Sequence, residues 1–428
     1  MNESVKSKQP DPEHANTAEG LRLPELWRDY RLGDLFESRK ECGRDGLPTL
    51  SVTMNDGLVD RNDLERRQDT TLSPAEHLLV EPGDIAYNTM RMWQGAFGRA
   101  ESSGLVSPAY VVLKPRPEAD SAFFEQLFRT PRMVHLFWAY SYGLTDDRLR
   151  LYFQDFAAIK VRVPSKSAQR RATRILATWD RAIRVTTSLA ENTDRHSEAL
   201  TETLFPRVTR KHLLEGWNLV QLRDVIDLPE AGVSVNSMDR AAGEGEFGVL
   251  KTSAVTSGVF EPRQNKLIRP DELHRADVNP QADRIIVSRI NTPELVGASA
   301  YVERDHPDLF LPDRLWQLHP RSDSIDMRWL AIWLAMKPTR TRLSTLATGS
   351  SGSMKNISKD QLLSLELVIP PVDLQKRIAA EITAWSKAAE SLRIQAEKLS
   401  TERSALMQRL LWPESSTGGQ TIETDAAA

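Results

Sequence analysis

The sequence predicts an α+β fold in which two tandem, mixed, β-rich domains are separated by two long helices that pair as an antiparallel coiled coil. Three observations predict it. The chain is internally duplicated, short β-type runs punctuated by Pro and Gly fill most of each repeat, and each repeat closes with a long stretch free of Gly and Pro. At 428 residues the chain is also too long for one compact core.

The repeat is read in chain order. Trp27, Leu32, Asp34 and Leu35 match Trp217, Leu222, Asp224 and Val225, all at the same separation. Leu50 to Gly57 then aligns with Leu250 to Gly258, and Val80 to Ile85 with Val278 to Ile285, the separation growing as loop insertions would make it. Ile159 to Pro164 recurs as Leu365 to Pro370. From there Gln169, Arg171, Trp179, Ala199, Leu200 and Leu204 fall on Gln375, Arg377, Trp385, Ala405, Leu406 and Leu410 in one constant register.

Within the first globular part, residues 23–164, Thr49 to Met54, Ala109 to Leu113 and Ile159 to Val163 read as strands. Ser121 to Tyr140 reads as helical and is divided by Pro131, and Met327 to Met336 is its counterpart in the second part, residues 213–370. Residues 165–212 and 371–412 are rich in Ala, Arg, Glu, Lys, Leu and Gln and predict the two long helices. In the second, Ile382, Trp385, Ala389, Leu392, Ala396, Leu399, Leu406 and Leu410 keep a three-four spacing interrupted only at Arg403. In the first, Leu176, Trp179, Ile183, Ala190, Leu200 and Leu204 are apolar, with Thr186, Thr193 and Ser197 small and polar between them. Such a seam requires a partner, and the other helix of the chain is the obvious one; the alternative is that each helix packs on its own domain. At ~1.5 Å per residue each helix is ~50 to 60 Å long, longer than a small domain is wide. Residues 1–22 and 413–428 read as disordered tails.

Composition narrows function. No apolar run approaches the ~20 residues of a membrane-spanning helix, and the N-terminus lacks the pattern of an export signal. A single cysteine, Cys42, excludes an internal disulfide and fits a reducing cytoplasm. With 56 basic against 59 acidic side chains the net charge is -3, so attraction of the whole molecule to a polyanion is absent, although segregation of the charges would still permit it. The motifs of nucleotide binding, metalloproteases, hydrolases and base-flipping amino-methyltransferases are missing. His274 and His306 have no partner at ligand spacing, and the Asp146-Asp147 pair is of a kind common on surfaces. No metal site or catalytic role is expected.

Together these residues resemble the DNA-specificity subunits of type I restriction-modification systems, over nearly the whole chain. The resemblance rests on a W-x(4)-L-x-[DE]-hydrophobic start at Trp27 to Leu35 and Trp217 to Val225. A "GDI" strand with a polar or basic end follows at Gly83 to Arg91 and Asp283 to Arg289. A Ser/Gly-rich loop, Gly349 to Ile357, precedes the last strand, and "PxxxQxRI" follows as Pro371 to Ile378. The first half departs from the pattern at Tyr142 to Arg148, in place of the Ser/Gly loop, and at Ser167 to Ala172.

The resemblance implies that 23–164 and 213–370 are target-recognition domains, with 165–212 and 371–412 as spacer helices fixing the gap between two half-sites. It implies double-stranded DNA, two methyltransferase subunits and restriction-translocase subunits as partners. S-adenosylmethionine, ATP and magnesium would then be bound by those partners and none by this chain. Base-reading candidates are Asn88, Arg91, Gln94, Arg99 and Arg148 in the first half, and Lys251, Ser288, Arg289, Asn291, Ser351, Ser353 and Lys355 in the second, because Arg matches guanine and Asn or Gln matches adenine. Any of these could instead be a solvated loop residue or a phosphate contact. Trp93 could wedge against the duplex or belong to the core. The rival readings are a non-enzymatic coiled-coil scaffold and a nuclease or methylase with a degenerate site.

Overall fold

The computed structural model describes residues 27–54, 56–64, 72–145, 148–205, 214–351 and 354–412. Both tails expected to be disordered, 1–22 and 413–428, and the end of the first spacer segment, 206–212, lie outside them. Two compact units are formed, Met1–Thr187 with Arg393–Ala428, and Ser188–Leu392.

In the first unit, the strand Arg28–Arg31 runs into α1 (Leu32–Leu35), whose two leucines are fully buried. The start motif has a plain physical reading. The Arg31 amide donates to the Asp34 carboxylate at 2.8 Å, and the Leu32 amide donates to the Ile159 carbonyl at 2.9 Å. That bond continues the antiparallel pairing of Arg28–Arg31 with Lys160–Val163, so the entry and exit of the domain are zipped together. The main sheet is antiparallel, in the order Phe36–Arg39, Tyr110–Pro115, Ile85–Asn88, Phe97–Arg99. Two helices, α2 (Ser121–Phe128) and α3 (Pro131–Ala139), are divided at the proline as the sequence predicts, and α4 (Phe153–Ala158) precedes the closing strand. Phe36, Phe97, Phe123, Phe124, Phe128, Phe137 and Phe156 fill the core between sheet and helices. Most of their contacts are edge-to-face, including Phe36 with Phe124 at 5.0 Å and Phe128 with Phe137 at 5.3 Å, an arrangement that adds to the gain from burying each ring. Beneath the sheet, Asp84 is 1% exposed and receives two bonds from Arg39, the shorter at 2.7 Å. Burial raises its carboxyl above the ordinary value, while Arg39 and the Glu81 amide pull it back.

The second unit repeats this order. Asn218–Gln221 pairs with Glu366–Ile369, and between them α6 (Leu222–Val225) makes the same two bonds, from the Gln221 amide to Asp224 at 2.7 Å and from the Leu222 amide to the Leu365 carbonyl at 2.8 Å. The sheet order is Glu230–Ala231, Leu315–Leu318, Arg284–Ser288, Ser299–Val302. The turn into the central strand is left-handed in both units, with Gly83 at φ 92 and Asp283 at φ 57, a conformation that Asp tolerates better than most residues. The helices are α7 (Met327–Ala335), α8 (Lys337–Leu346) and α9 (Lys359–Leu363). The sequence reading stopped at Met336 and missed α8, whose mostly polar sequence carries little helical signal. A second sheet, Ser237–Met238, Asn265–Ile268, Gly248–Leu250 and Leu309–Phe310, has its own small core around Val255, Ile286 and Leu311.

The long helices are α5 (Lys166–Leu204) and α10 (Val372–Leu411). Each is fixed at its first turn by a buried glutamine. Gln169 accepts from the Asp120 amide at 2.9 Å and donates to the carbonyls of Glu118 and Pro164 at 3.1 and 2.9 Å. Gln375 accepts from the Asp326 amide at 2.8 Å and donates to Ser324 and Pro370 at 3.0 and 2.8 Å. These bonds use both ends of each amide, and they tie the spacer helix to the residue that caps α2 or α7.

The helices pair antiparallel. In the first unit, Leu176 and the half-buried Trp179 of α5 share a core with Leu406, Leu410 and Leu411 of α10. Arg403, the break in the seam, donates to Asp180 at 2.7 and 3.1 Å and to Gln126 of α2 at 2.9 Å. In the second unit, Leu200, Leu204 and Phe205 pack with Ile378, Ala379 and Ile382, and Ser197 meets Ser386 at 3.4 Å. Ile183, Leu392 and Leu399 are half-buried. One seam residue departs from expectation: Trp385 is 38% exposed and sits at the rim with the His196 ring 4.4 Å away. The alternative of each helix packing on its own domain is also partly realised, since Ala172 and Leu176 of α5 join the core of the first domain and Ile378, Ala379 and Ile382 of α10 that of the second; Leu406, Leu410 and Leu411 of α10 instead join the core of the first.

Candidate nucleic-acid interface

Each unit brings two distant segments to one place. In the first, the central strand ends at Asn88 and a loop follows; the Thr89 carbonyl accepts from the Leu151 amide at 2.9 Å. Leu151 leaves a hairpin whose arms are joined by reciprocal bonds between Tyr142 and Arg150 at 3.2 and 2.9 Å. In the second unit the Arg289 carbonyl accepts from the Ile357 amide at 3.0 Å, Ile290 and Asn291 pair with Asn356 and Lys355, and Thr348–Ser351 pairs with Met354–Asn356. The Ser/Gly-rich loop and the Tyr142 to Arg148 segment that replaces it are therefore the same structural device.

The candidates fall into three groups. Around the first joint, Arg91 is exposed with its guanidinium on the Gln94 side-chain oxygen at 2.9 Å, Asn88 accepts from the Met90 amide at 3.0 Å, and Arg148 is exposed on the hairpin. Around the second, Arg289 is half-buried with its cation 5.7 Å from the Trp316 ring centre, and Ser351 ends a strand of the hairpin; Ser353, like Asp146-Asp147, lies outside the described residues.

A further group is held by the fold. Ser288 is 0% exposed; its hydroxyl donates to the Ile290 carbonyl and accepts from the Asn291 side-chain Nδ2, so burial runs against a base-reading place for it. Asn291 also accepts from the Thr292 amide, and Lys355 donates to the Ser344 carbonyl at 2.9 Å, near the end of α8. Arg99 is bound to Glu125 at 3.1 Å and to Glu101 at 3.6 Å. Trp93 is half-buried and donates to the Met90 carbonyl at 3.0 Å, which anchors the loop. Lys251 is exposed but belongs to the second sheet, just after Gly248–Leu250.

Sequence reasoning missed three exposed residues at the first joint, Tyr142, Arg150 and Tyr152. A signal was present: from Arg148 to Tyr152 polar and aliphatic residues alternate, and the leucines turn inward, as in a strand with one wet face.

Residues 214–398 match the family model for the type I restriction modification DNA specificity domain. The chain is 28% identical over 179 residues to the specificity subunit of the type I restriction enzyme EcoEI of Escherichia coli, covering 42% of this chain and 30% of that subunit. It is 21% identical over 426 residues to the MjaVIII specificity subunit of Methanocaldococcus jannaschii, covering 92% and 93% of the two chains. The chain is thus similar to type I restriction-modification DNA specificity subunits, through its second half by the family model and over most of its length by the MjaVIII subunit. The fold agrees with that similarity. The S subunit from M. genitalium matches with a TM-score of 0.55 at 16% identity, covering 92% of this chain and 98% of that one. The HsdS subunit from Thermoanaerobacter tengcongensis matches at 0.50 and 18% identity, covering 91% and 97%. The family match falls on the second half, and the first half repeats its joint, glutamine bracket and entry zip.

Among the described residues no group of His, Cys, Asp or Glu is placed to hold a metal ion, and no helix is long and apolar enough to cross a membrane.

Proposed function

We propose that this chain is the non-catalytic reader of a type I restriction-modification complex, recognising a bipartite DNA target with a gap of fixed length. The observation that carries this is the repeated joint: the same backbone device holds the loop or hairpin that carries Asn88, Arg91 and Arg148 in one unit and Arg289 in the other, where the Ser351 backbone pairs within the hairpin. Two readers with one architecture and different side chains suit two different half-sites, and rigid spacer helices between them suit a gap that is spanned but not read. A protein-assembly scaffold gives no reason for the duplicated joint to diverge in its polar residues.

On this reading the chain directs two methyltransferase subunits, and through them restriction-translocase subunits, to the target. S-adenosylmethionine, ATP and magnesium belong to those partners, and the complex works in the cytoplasm. The test is to co-express the chain with a type I methyltransferase subunit from the same genome and map modified adenines across the host genome by single-molecule sequencing. A split motif with one gap length is expected. A stable complex that leaves no motif, or no complex at all, would overturn the proposal in favour of the scaffold.

A further inference from the structure

A DNA reader with a net charge of -3 must concentrate its positive potential locally. Several arginines of the first unit are neutralised by pairing. Arg39 is held by Asp84 and Glu41, Arg99 by Glu125 and Glu101, Arg116 by Glu37, Arg129 by Glu125, and Arg170 by Asp120. Each of these cations is matched by a carboxylate. At the loop-hairpin joint, as at Arg28 and Arg44 elsewhere, the arginines have no carboxylate among the described residues: Arg91 bonds the neutral Gln94, and the exposed Arg150 bonds the Tyr152 hydroxyl at 3.3 Å, so that here the unpaired cation stands beside exposed aromatic rings. Among the described residues no carboxylate pairs with Arg150. Tyr142 is 58% and Tyr152 40% exposed, and their ring centres lie 5.7 Å apart.

We propose that Tyr142, Arg150 and Tyr152 form a DNA-contact surface of the first domain, in which Arg150 meets a backbone phosphate and the two tyrosine rings lie against sugar and base edges. This rests on the DNA-reading function above and names residues of that same site. The chemistry suits a duplex. A guanidinium without a counter-ion gains a partner by meeting phosphate, and tyrosine rings give apolar contact with a polar rim at little cost in side-chain freedom. The second hairpin lacks the device, since Met354, Lys355 and Asn356 stand where Arg148, Leu149 and Arg150 stand in the first, and the Lys355 ammonium is occupied by Ser344. The two domains therefore hold DNA unequally, and the first supplies more of the electrostatic grip.

The test uses the full chain, co-purified with its methyltransferase, and a duplex carrying the split motif found by methylation mapping, with affinity read by fluorescence anisotropy over a salt series. Arg150→Ala is expected to reduce the slope of log affinity against log salt by ~0.9, which at 0.1 M salt is a roughly eightfold loss. Arg150→Lys should restore the slope. Tyr142→Ala with Tyr152→Ala should weaken binding and leave the slope unchanged. On the unaltered protein, bound duplex should protect Tyr142 and Tyr152 from iodination, a readout that does not depend on any variant folding. Unchanged iodination together with an unchanged salt slope in Arg150→Ala would overturn the proposal while leaving DNA reading intact. So would loss of the methyltransferase from the tyrosine variant, which would make the patch a protein contact. Failure of the unaltered complex to bind any split-motif duplex would instead overturn the underlying function.

Discussion

Gln375→Ala is expected to unlatch the second spacer helix from its domain. The side chain is 0% exposed and accounts for three bonds, from the Asp326 amide and to the Ser324 and Pro370 carbonyls. Truncation strands one buried amide and two carbonyls. A stranded buried group costs ~1–3 kcal/mol, with carbonyls the more forgiving, and a water entering the polar hole recovers part of that. The net expectation is a loss of ~2–4 kcal/mol. At ~2–4 °C per kcal/mol for a unit of this size, the second unit should melt roughly 4–16 °C earlier. Calorimetry is the assay, because a chain of two units can show two transitions and only the one belonging to the second unit should move.

Gln375→Glu sharpens the test. Its carboxylate still accepts from Asp326 but faces two carbonyl oxygens, so its folded pKa should lie above the ~4.3 of an exposed Glu. A raised folded pKa makes stability fall as pH rises through that range, so the variant should recover partly on acidification. A Gln375→Ala transition within ~0.5 kcal/mol of the parent, the range of ordinary surface changes, would refute the bracket as a stabilising device.

Three further outcomes follow from the structure. Asp84→Ala should destabilise the first unit by ~3 kcal/mol or more in chemical denaturation, because Arg39, with a side chain 11% exposed, keeps only the solvated Glu41 as partner. Arg403→Ala should cost ~1–3 kcal/mol in the same assay, whereas Arg403→Leu, which completes the apolar seam, should cost less, most clearly with Asp180→Asn beside it. Removing four residues from each spacer helix, between the Asp180–Arg403 and Ser197–Ser386 contacts, shortens each by ~6 Å. The preferred gap should contract by nearly two base pairs at ~3.4 Å each, measured by binding to a spacing series, and an unchanged gap would sink the ruler.

Much of the architecture was legible because it rests on local and periodic signals. Pro131 divides a helix in any context, a stretch without Gly or Pro in a three-four pattern has few alternatives to a long helix, and repeated motifs at fixed register can be read from one chain. Even the odd residue in the seam was visible. What Arg403 does was not, because Asp180 and Gln126 lie far from it in sequence.

The site was less legible, because residue type does not reveal which polar groups are already bonded. Side-chain type selected Ser288, Asn291 and Lys355 as readers, yet each is hydrogen-bonded within the protein, the first two inside their own turn and Lys355 to the Ser344 carbonyl. Arg99 and Arg150 look alike in sequence, and only the fold places Glu125 against the first and, among the described residues, no carboxylate against the second. The sequence by itself determined the duplication, the long helices and their pairing, because chain-local periodicity and propensity decide these. Only the tertiary structure decided which polar groups are spent inside the protein and which remain for a partner, because a hydrogen-bonding group is satisfied by whatever lies within about 3 Å of it, wherever along the chain that neighbour comes from.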